Sequence, residues 1–242
     1  MSPDLRAVLA VIRLVLVVST VCATAARAAG EPTVREEVLA PGGQRYTISI
    51  PAGYKSGTPV PLVLALHYGG TVTPYYGKPF LTNLVEPALR KLGAIIVAPD
   101  CTAGRWTDLQ AEADILTLLG HIEETWAIDP HRTLITGYSM GGMGTWALAA
   151  RHQDRFTAAL IVAGQPQPGI ADVAWSIPLY VIHSRDDEVV PLKPTADMVK
   201  VLQARGVRVE LVVVDGLTHY QVPAFVPVLR AAVPWIKKAW KH

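Results

Sequence analysis

Ser139 stands in LITGYSMGGMGTW (134–146), with Gly137 two residues before it and Gly141 two residues after. A serine hydroxyl is a weak nucleophile until a base removes its proton, so it needs a histidine and an orienting carboxylate from elsewhere in the chain. The G-x-S-x-G spacing falls where an apolar, strand-like run (133–138) meets a helix-like run rich in Ala, Leu and Trp (140–151). A sharp turn at such a junction holds the serine in a strained backbone conformation, with its hydroxyl raised above the sheet. The positions two before and two after the serine then crowd each other, and glycine removes the obstructing Cβ. Gly142 and Gly144 are expected to let the new helix approach neighbouring strands. The Met140 N–H, at the start of that helix, is expected to point at a developing oxyanion. A phosphate loop is excluded, because GMGTW lacks the Lys-Ser or Lys-Thr pair that follows the last glycine of that motif.

Seven histidines are available as the base: His67, His121, His131, His152, His183, His219 and His242. His121 falls on the polar side of a helical run, His131 and His152 lie in polar connections, and His242 is terminal. All four read as solvated. His219 lies in DGLTHY (215–220), directly after the last strongly apolar strand run, and is the expected general base. The orienting carboxylate is sought in VIHSRDDEVVP (181–191), which also follows a strand run and offers Asp186, Asp187 and Glu188. His183 precedes these acids by only a few residues and reads as a structural brace for their loop.

The elements that must position these groups alternate in type. Strand-like runs occupy 45–51, 61–67, 94–100, 133–138, 156–164, 177–184 and 207–215, several of them continuously apolar, as expected of strands buried on both faces. Between them, Ile115, Leu118, Leu119, Ile122 and Trp126 recur at helical spacing within 111–126. Residues 140–151, 195–204 and 224–240 are further helix candidates, the last interrupted by Pro227 and Pro234. Strands alternating with helices imply parallel crossovers and a three-layer α/β sandwich. Ligands in such sheets gather at the carboxyl ends of the strands.

Half of the 242 residues are hydrophobic, which suits one sizeable core. Arg6 and Arg13 flank an apolar start that continues through LVLVVSTVC (14–22) into the small residues ATAARAAG (23–30). This reads as a cleaved signal peptide over 1–29, with cleavage near Ala28 and a destination that is secreted or periplasmic. The apolar run is short of the roughly 20 residues a membrane span needs. Of 22 basic and 20 acidic residues, the leader holds three Arg and one Asp, so 30–242 carries 19 of each. That balance gives no field for nucleic acid. Cys22 leaves with the leader and Cys101 remains alone, so the core must stabilise the single domain 30–242 without an internal disulfide.

These residues resemble the α/β-hydrolase superfamily across nearly all of 30–242. IDPHRTLITGYSMGGMGTWALA (128–149) is similar to secreted serine esterases related to feruloyl and acetylxylan esterases, to polyhydroxyalkanoate depolymerase-like proteins and to predicted peptidases of the same branch. The resemblance implies the three-layer α/β-hydrolase fold, a mostly parallel central sheet flanked by helices, and the chain order Ser, Asp, His. It favours Asp187 as the acid, since DEVVP (187–191) matches a pattern common at that position, with Asp186 the alternative. LALHYGG (64–70) matches the segment that supplies a second oxyanion donor. Relatives often have glycine where this chain has Tyr68, so Gly69 is the expected donor and Tyr68 the alternative, with His67 bracing the loop. Tyr68, Trp106 and Tyr138 are expected to border the substrate. Tyr75 and Tyr76 belong to segments on the same edge and read as loop packing, and Asp100, Asp108 and Asp114 as polar anchors.

The implied chemistry is hydrolysis of a carboxylic ester through an acyl-enzyme, without cofactor or metal. The same three groups also cleave amides, and a silent binding protein can use the same fold.

Overall fold

The structure, a computed structural model, describes residues 30–40 and 43–241; the expected leader 1–29 lies outside them. Eight strands form one sheet: β1 (Thr33–Leu39), β2 (Gln44–Ile50), β3 (Val60–Leu66), β4 (Ile95–Pro99), β5 (Ile128–Tyr138), β6 (Ala158–Val162), β7 (Leu179–Ser184) and β8 (Val209–Val214), in the order β1-β2-β4-β3-β5-β6-β7-β8. β1 and β2 pair antiparallel with each other, as do β2 and β4; every pairing from β4 to β8 is parallel.

Alternation within the apolar runs feeds two cores. On β3, Leu62, Leu64 and Leu66 enter one layer with α3 (Leu109–Thr125), while Val63 and Ala65 enter the other. α4 (Met140–Arg151) and α5 (Leu192–Ala204) pack on the α3 side through Trp146, Leu148, Val199 and Leu202. α6 (Val226–Ala231) and α7 (Val233–Ala239) cover the opposite face through Leu229 and Ile236. The expected interruptions at Pro227 and Pro234 are helix starts: each proline is the second residue of a new helix, where its missing N–H has no intrahelical partner to lose. No helix among the described residues is long and apolar enough to cross a membrane.

One helical segment carries no clean sequence signal. α1 (Gly77–Phe80) runs through a π-helical turn (Leu81–Val85) into α2 (Glu86–Leu89) and closes at Gly93 in the left-handed region, φ 63°. The Glu86 N–H donates to the Leu81 carbonyl, five residues back. Pro87 has no N–H to offer the Asn83 carbonyl, which accounts for the widened turn. This segment joins α6 and α7 on the second face and places Phe80, Leu81 and Leu84 in that core. Cys101 is buried against the α3 side, and burial pushes its thiol pKa up to about 11.

Candidate active site

β5 ends at Tyr138 and α4 begins at Met140, so Ser139 alone makes the turn, at φ 56°, ψ −117°. Such a conformation costs a non-glycine residue roughly 1–3 kcal/mol, and neighbouring bonds hold it in place. The Ser139 N–H donates to the Val162 carbonyl at 3.0 Å, and the Ser139 carbonyl accepts from Met143 N–H at 2.9 Å. A Cβ on Gly137 would lie 2.3 Å from the Gly141 carbonyl oxygen, and one on Gly141 would lie 1.9 Å from the Leu66 carbonyl oxygen. Both glycines are therefore required by close backbone approach. Gly142 faces the Val162 carbonyl at the end of β6, as expected, and Gly144 makes room both for the Trp106 side chain and for Leu66 of β3, whose Cδ1 would lie 3.2 Å from an added Cβ.

His219 comes from the loop after β8 and Asp187 from the loop after β7. His219 Nε2 lies 2.8 Å from Ser139 Oγ, and His219 Nδ1 lies 2.8 Å from Asp187 Oδ2. A carboxylate accepts, so Nδ1 carries the proton and Nε2 presents its lone pair to the serine hydroxyl. Asp187 is itself anchored: its Oδ1 accepts from the Val189 and Val190 N–H groups at 3.0 and 2.7 Å. Asp186 points elsewhere, its Oδ2 accepting from Gly216 N–H at 2.6 Å.

His183 is buried, and its Nε2–H donates to the Val190 carbonyl at 2.7 Å. Burial lowers its pKa, so it stays neutral beside Asp187, whose carboxylate lies 3.7 Å away. The brace expected of it is thus built through Val190, whose own N–H is one of the two donors that anchor Asp187.

Two further contacts hold the His219 backbone, and neither could be read from spacing. The Glu188 carboxylate accepts from His219 N–H at 2.9 Å, and the Tyr138 hydroxyl donates to the His219 carbonyl at 2.8 Å. Tyr138 is buried, and its hydroxyl pKa is pushed upward mainly by burial, so it remains a donor. Removing that hydroxyl in Tyr138→Phe leaves a buried carbonyl unpaired. The expected loss is about 1–3 kcal/mol of unfolding free energy, read from denaturant titration; an unchanged midpoint would mean that the bond contributes nothing.

The Dienelactone hydrolase family profile matches residues 93–226, which include Ser139, Asp187 and His219. The chain belongs to the dienelactone hydrolase family. It is 28% identical over 189 residues to a probable feruloyl esterase C of Aspergillus terreus, covering 73% of this chain and 67% of that protein. It is 28% identical over 174 residues to feruloyl esterase C of Emericella nidulans, covering 67% of this chain and 62% of that one. The chain thus spans about two thirds of the length of these relatives. A solved ferulic acid esterase superposes with a TM-score of 0.71 at 18% identity, covering 87% of this chain and 99% of its own. With the sheet order above, the fold is that of the α/β-hydrolases.

In this dienelactone hydrolase family member a cavity of about 490 Å³ opens at Ser139 and His219. Tyr68, Gly69 and Tyr138 line it, as the sequence suggests; Trp106 does not. Trp106 is buried beneath the neighbouring loop, its indole N–H donating to the His67 carbonyl at 2.9 Å and its ring meeting His67 edge-on at 5.0 Å. Large, buried and already hydrogen-bonded, it shapes the wall from behind instead of touching a ligand. Tyr138 reaches the cavity, but its hydroxyl is committed to His219.

The segment after β3 is pinned through His67. Its Nδ1–H donates to the Tyr68 carbonyl at 2.6 Å, and its Nε2 accepts from Cys101 N–H at 3.1 Å. Burial lowers its pKa, in keeping with a neutral ring that donates on one side and accepts on the other. Tyr76 meets the His67 ring edge-on at 4.9 Å, and its hydroxyl donates to the Gly69 carbonyl at 3.2 Å. Asp100 acts as the polar anchor expected of it, its carboxylate accepting from Tyr75 N–H at 2.8 Å, Gly77 N–H at 3.3 Å and Arg45 Nε at 3.3 Å. Asp108 likewise accepts from Arg105 N–H and Asp114 from the Gln110 amide. Among the described residues, the N–H groups of Tyr68, Gly69 and Met140 have no hydrogen-bond partner within the protein.

Proposed function

We propose that the chain is a serine hydrolase of carboxylic esters, with Ser139 as nucleophile, His219 as general base and acid, and Asp187 as the orienting carboxylate. The observation that carries this reading is the pair of 2.8 Å contacts that His219 makes, one from each ring nitrogen. Ser139 Oγ attacks the ester carbonyl as His219 Nε2 takes the hydroxyl proton. The Met140 and Gly69 N–H groups, with that of Tyr68 as the alternative to Gly69, stabilise the resulting oxyanion. His219 returns the proton to the departing alcohol, leaving an acyl-serine. Water then attacks the acyl carbon, gives its proton to His219, and the carboxylic acid leaves as Ser139 regains its hydrogen. No cofactor enters this cycle. The names of the relatives make feruloyl esters the first natural substrates to try. The leader-like composition of 1–29 supports export of the enzyme.

The test is hydrolysis of p-nitrophenyl esters from acetate to palmitate beside a dipeptide amide. Ester turnover well above amide turnover is expected; the reverse would make the protein a peptidase, and neither would favour a silent binder. The acid assignment has its own test. Asp187→Asn should lower kcat by about 10³–10⁴-fold, because it unsettles the His219 tautomer, while Asp186→Asn should stay close to the parent. Equal losses, or the reverse order, would reassign the acid.

A further inference from the structure

His219 stands on a loop that the rest of the chain scarcely covers. Of residues 215–221, after β8, His219 alone is buried; Asp215, Gly216, Thr218, Tyr220 and Gln221 are exposed. Inside the loop, Thr218 N–H donates to Gln221 Oε1 and Gln221 N–H to the Thr218 carbonyl, bonds that shape the turn without tying it to the body of the protein. The ties come from the loop after β7, in chain order. Arg185 Nε donates to Asp215 Oδ1 at 2.8 Å, and Gly216 N–H donates to Asp186 Oδ2 at 2.6 Å. His219 Nδ1–H then donates to Asp187 Oδ2 at 2.8 Å, and His219 N–H to Glu188 Oε2 at 2.9 Å. Four consecutive side chains thus grip one loop, and the last two hold the ring and the main chain of a single residue.

Resting on the proposed ester hydrolysis, we infer that Glu188 is a positioning residue for the general base: its carboxylate fixes the His219 main chain so that the bond from Asp187 aims Nε2 at Ser139 Oγ. An imidazole held only at Nδ1 can pivot about that bond and carry Nε2 away from the hydroxyl, which lies 2.8 Å from it. A second hold on the N–H of the same residue removes the pivot. Glu188 is not among the residues lining the cavity at Ser139, so it acts through His219 and not on the substrate. Glu188 is exposed, so its contact adds little to global stability. Catalysis is far more sensitive, because a misplacement of about 1 Å can lower the rate by about 10²-fold.

The test compares Glu188→Ala, which removes the acceptor, with Glu188→Gln, whose amide oxygen can still accept from His219 N–H. On p-nitrophenyl acetate, Glu188→Ala should lower kcat by about 10–100-fold with KM little changed, and Glu188→Gln should recover most of the loss. The rate of Ser139 labelling by a fluorophosphonate, which needs no ester turnover, should fall and recover in the same order. Melting midpoints should stay close together, which separates positioning from a general loss of fold. Parent-like kcat and labelling in Glu188→Ala overturn the role of Glu188 and leave the ester reading standing. Equal losses in Glu188→Ala and Glu188→Gln overturn it too, because the charge and not the hydrogen bond would then matter. A raised KM with kcat held would make Glu188 a substrate contact and overturn its action through His219. A folded parent that neither hydrolyses the ester nor takes the label overturns the ester reading, and the positioning role falls with it.

Discussion

Ser139→Ala should lower ester turnover by about 10⁴–10⁶-fold in kcat while the protein still melts as the parent does. Both halves of that expectation come from the same geometry. The hydroxyl is the atom that would form the acyl bond, and its recorded partner is His219 Nε2. The backbone bonds that hold the turn, Ser139 N–H to Val162 and Met143 N–H to Ser139, involve no side-chain atom. Alanine keeps the Cβ, so the strain at φ 56° is unchanged. His219→Ala should cost a similar factor, and the double variant little more than either alone, because the two residues act as one unit. Losses that multiply in the double variant would mean that serine and histidine work independently.

Gly141→Ala should be the most damaging glycine-to-alanine change among the described residues, since its added Cβ makes the shortest contact of any. Its Cβ would lie 1.9 Å from the Leu66 carbonyl oxygen, 2.5 Å from the Leu66 carbonyl carbon and 2.8 Å from the His67 carbonyl oxygen. All three are backbone atoms at the end of β3, so no side chain can swing aside. Either α4 lifts away from the sheet or the segment bearing Tyr68 and Gly69 moves with β3, and each displaces a proposed oxyanion donor. We expect at least about 3 kcal/mol of destabilisation, the upper part of the range for overpacked sites, together with loss of ester turnover. Gly120→Ala is the matched control. It lies inside α3 with nothing within 4 Å of its added Cβ, and should gain roughly 0.5–1 kcal/mol from helix propensity. Thermal unfolding of the two variants side by side decides the matter; similar midpoints would contradict the close approach at Gly141.

Buried, continuously apolar strands announced themselves in the sequence because both their faces meet hydrophobic layers. β3, β4, β6 and β7 are of this kind, and the elbow between β5 and α4 followed from its glycines. β1 was silent for the opposite reason. TVREEVL pairs on one side only and leaves Arg35, Glu36 and Val38 exposed, so no apolar period marks it. The helical segment from Gly77 to Leu92 carries Pro79 and Pro87, residues that disfavour a helix interior, yet each sits in the first turn of a short helix.

At the site, residue type and position at the ends of strand runs were enough to pick out Ser139 and His219, which lie in contact. Choosing Asp187 over Asp186 needed a family pattern, because two adjacent carboxylates differ only in which way the loop turns them. The grip of Tyr138 and Glu188 on the His219 backbone depends on contacts across 81 and 31 residues, and no local pattern encodes those. Trp106 failed as a substrate contact for a related reason. An aromatic residue near a strand's carboxyl end can face the cavity or support the loop behind it, and its bond to the His67 carbonyl selects the second.

The central claim is that Ser139 is a nucleophile activated by His219, and covalent trapping tests it most directly. Folded protein is treated with a fluorophosphonate, digested and mapped by mass spectrometry. The account predicts a single adduct on Ser139 that forms readily in the parent and is lost in His219→Ala. No adduct on folded parent protein, an adduct at another residue, or labelling of Ser139 that ignores the histidine would contradict it.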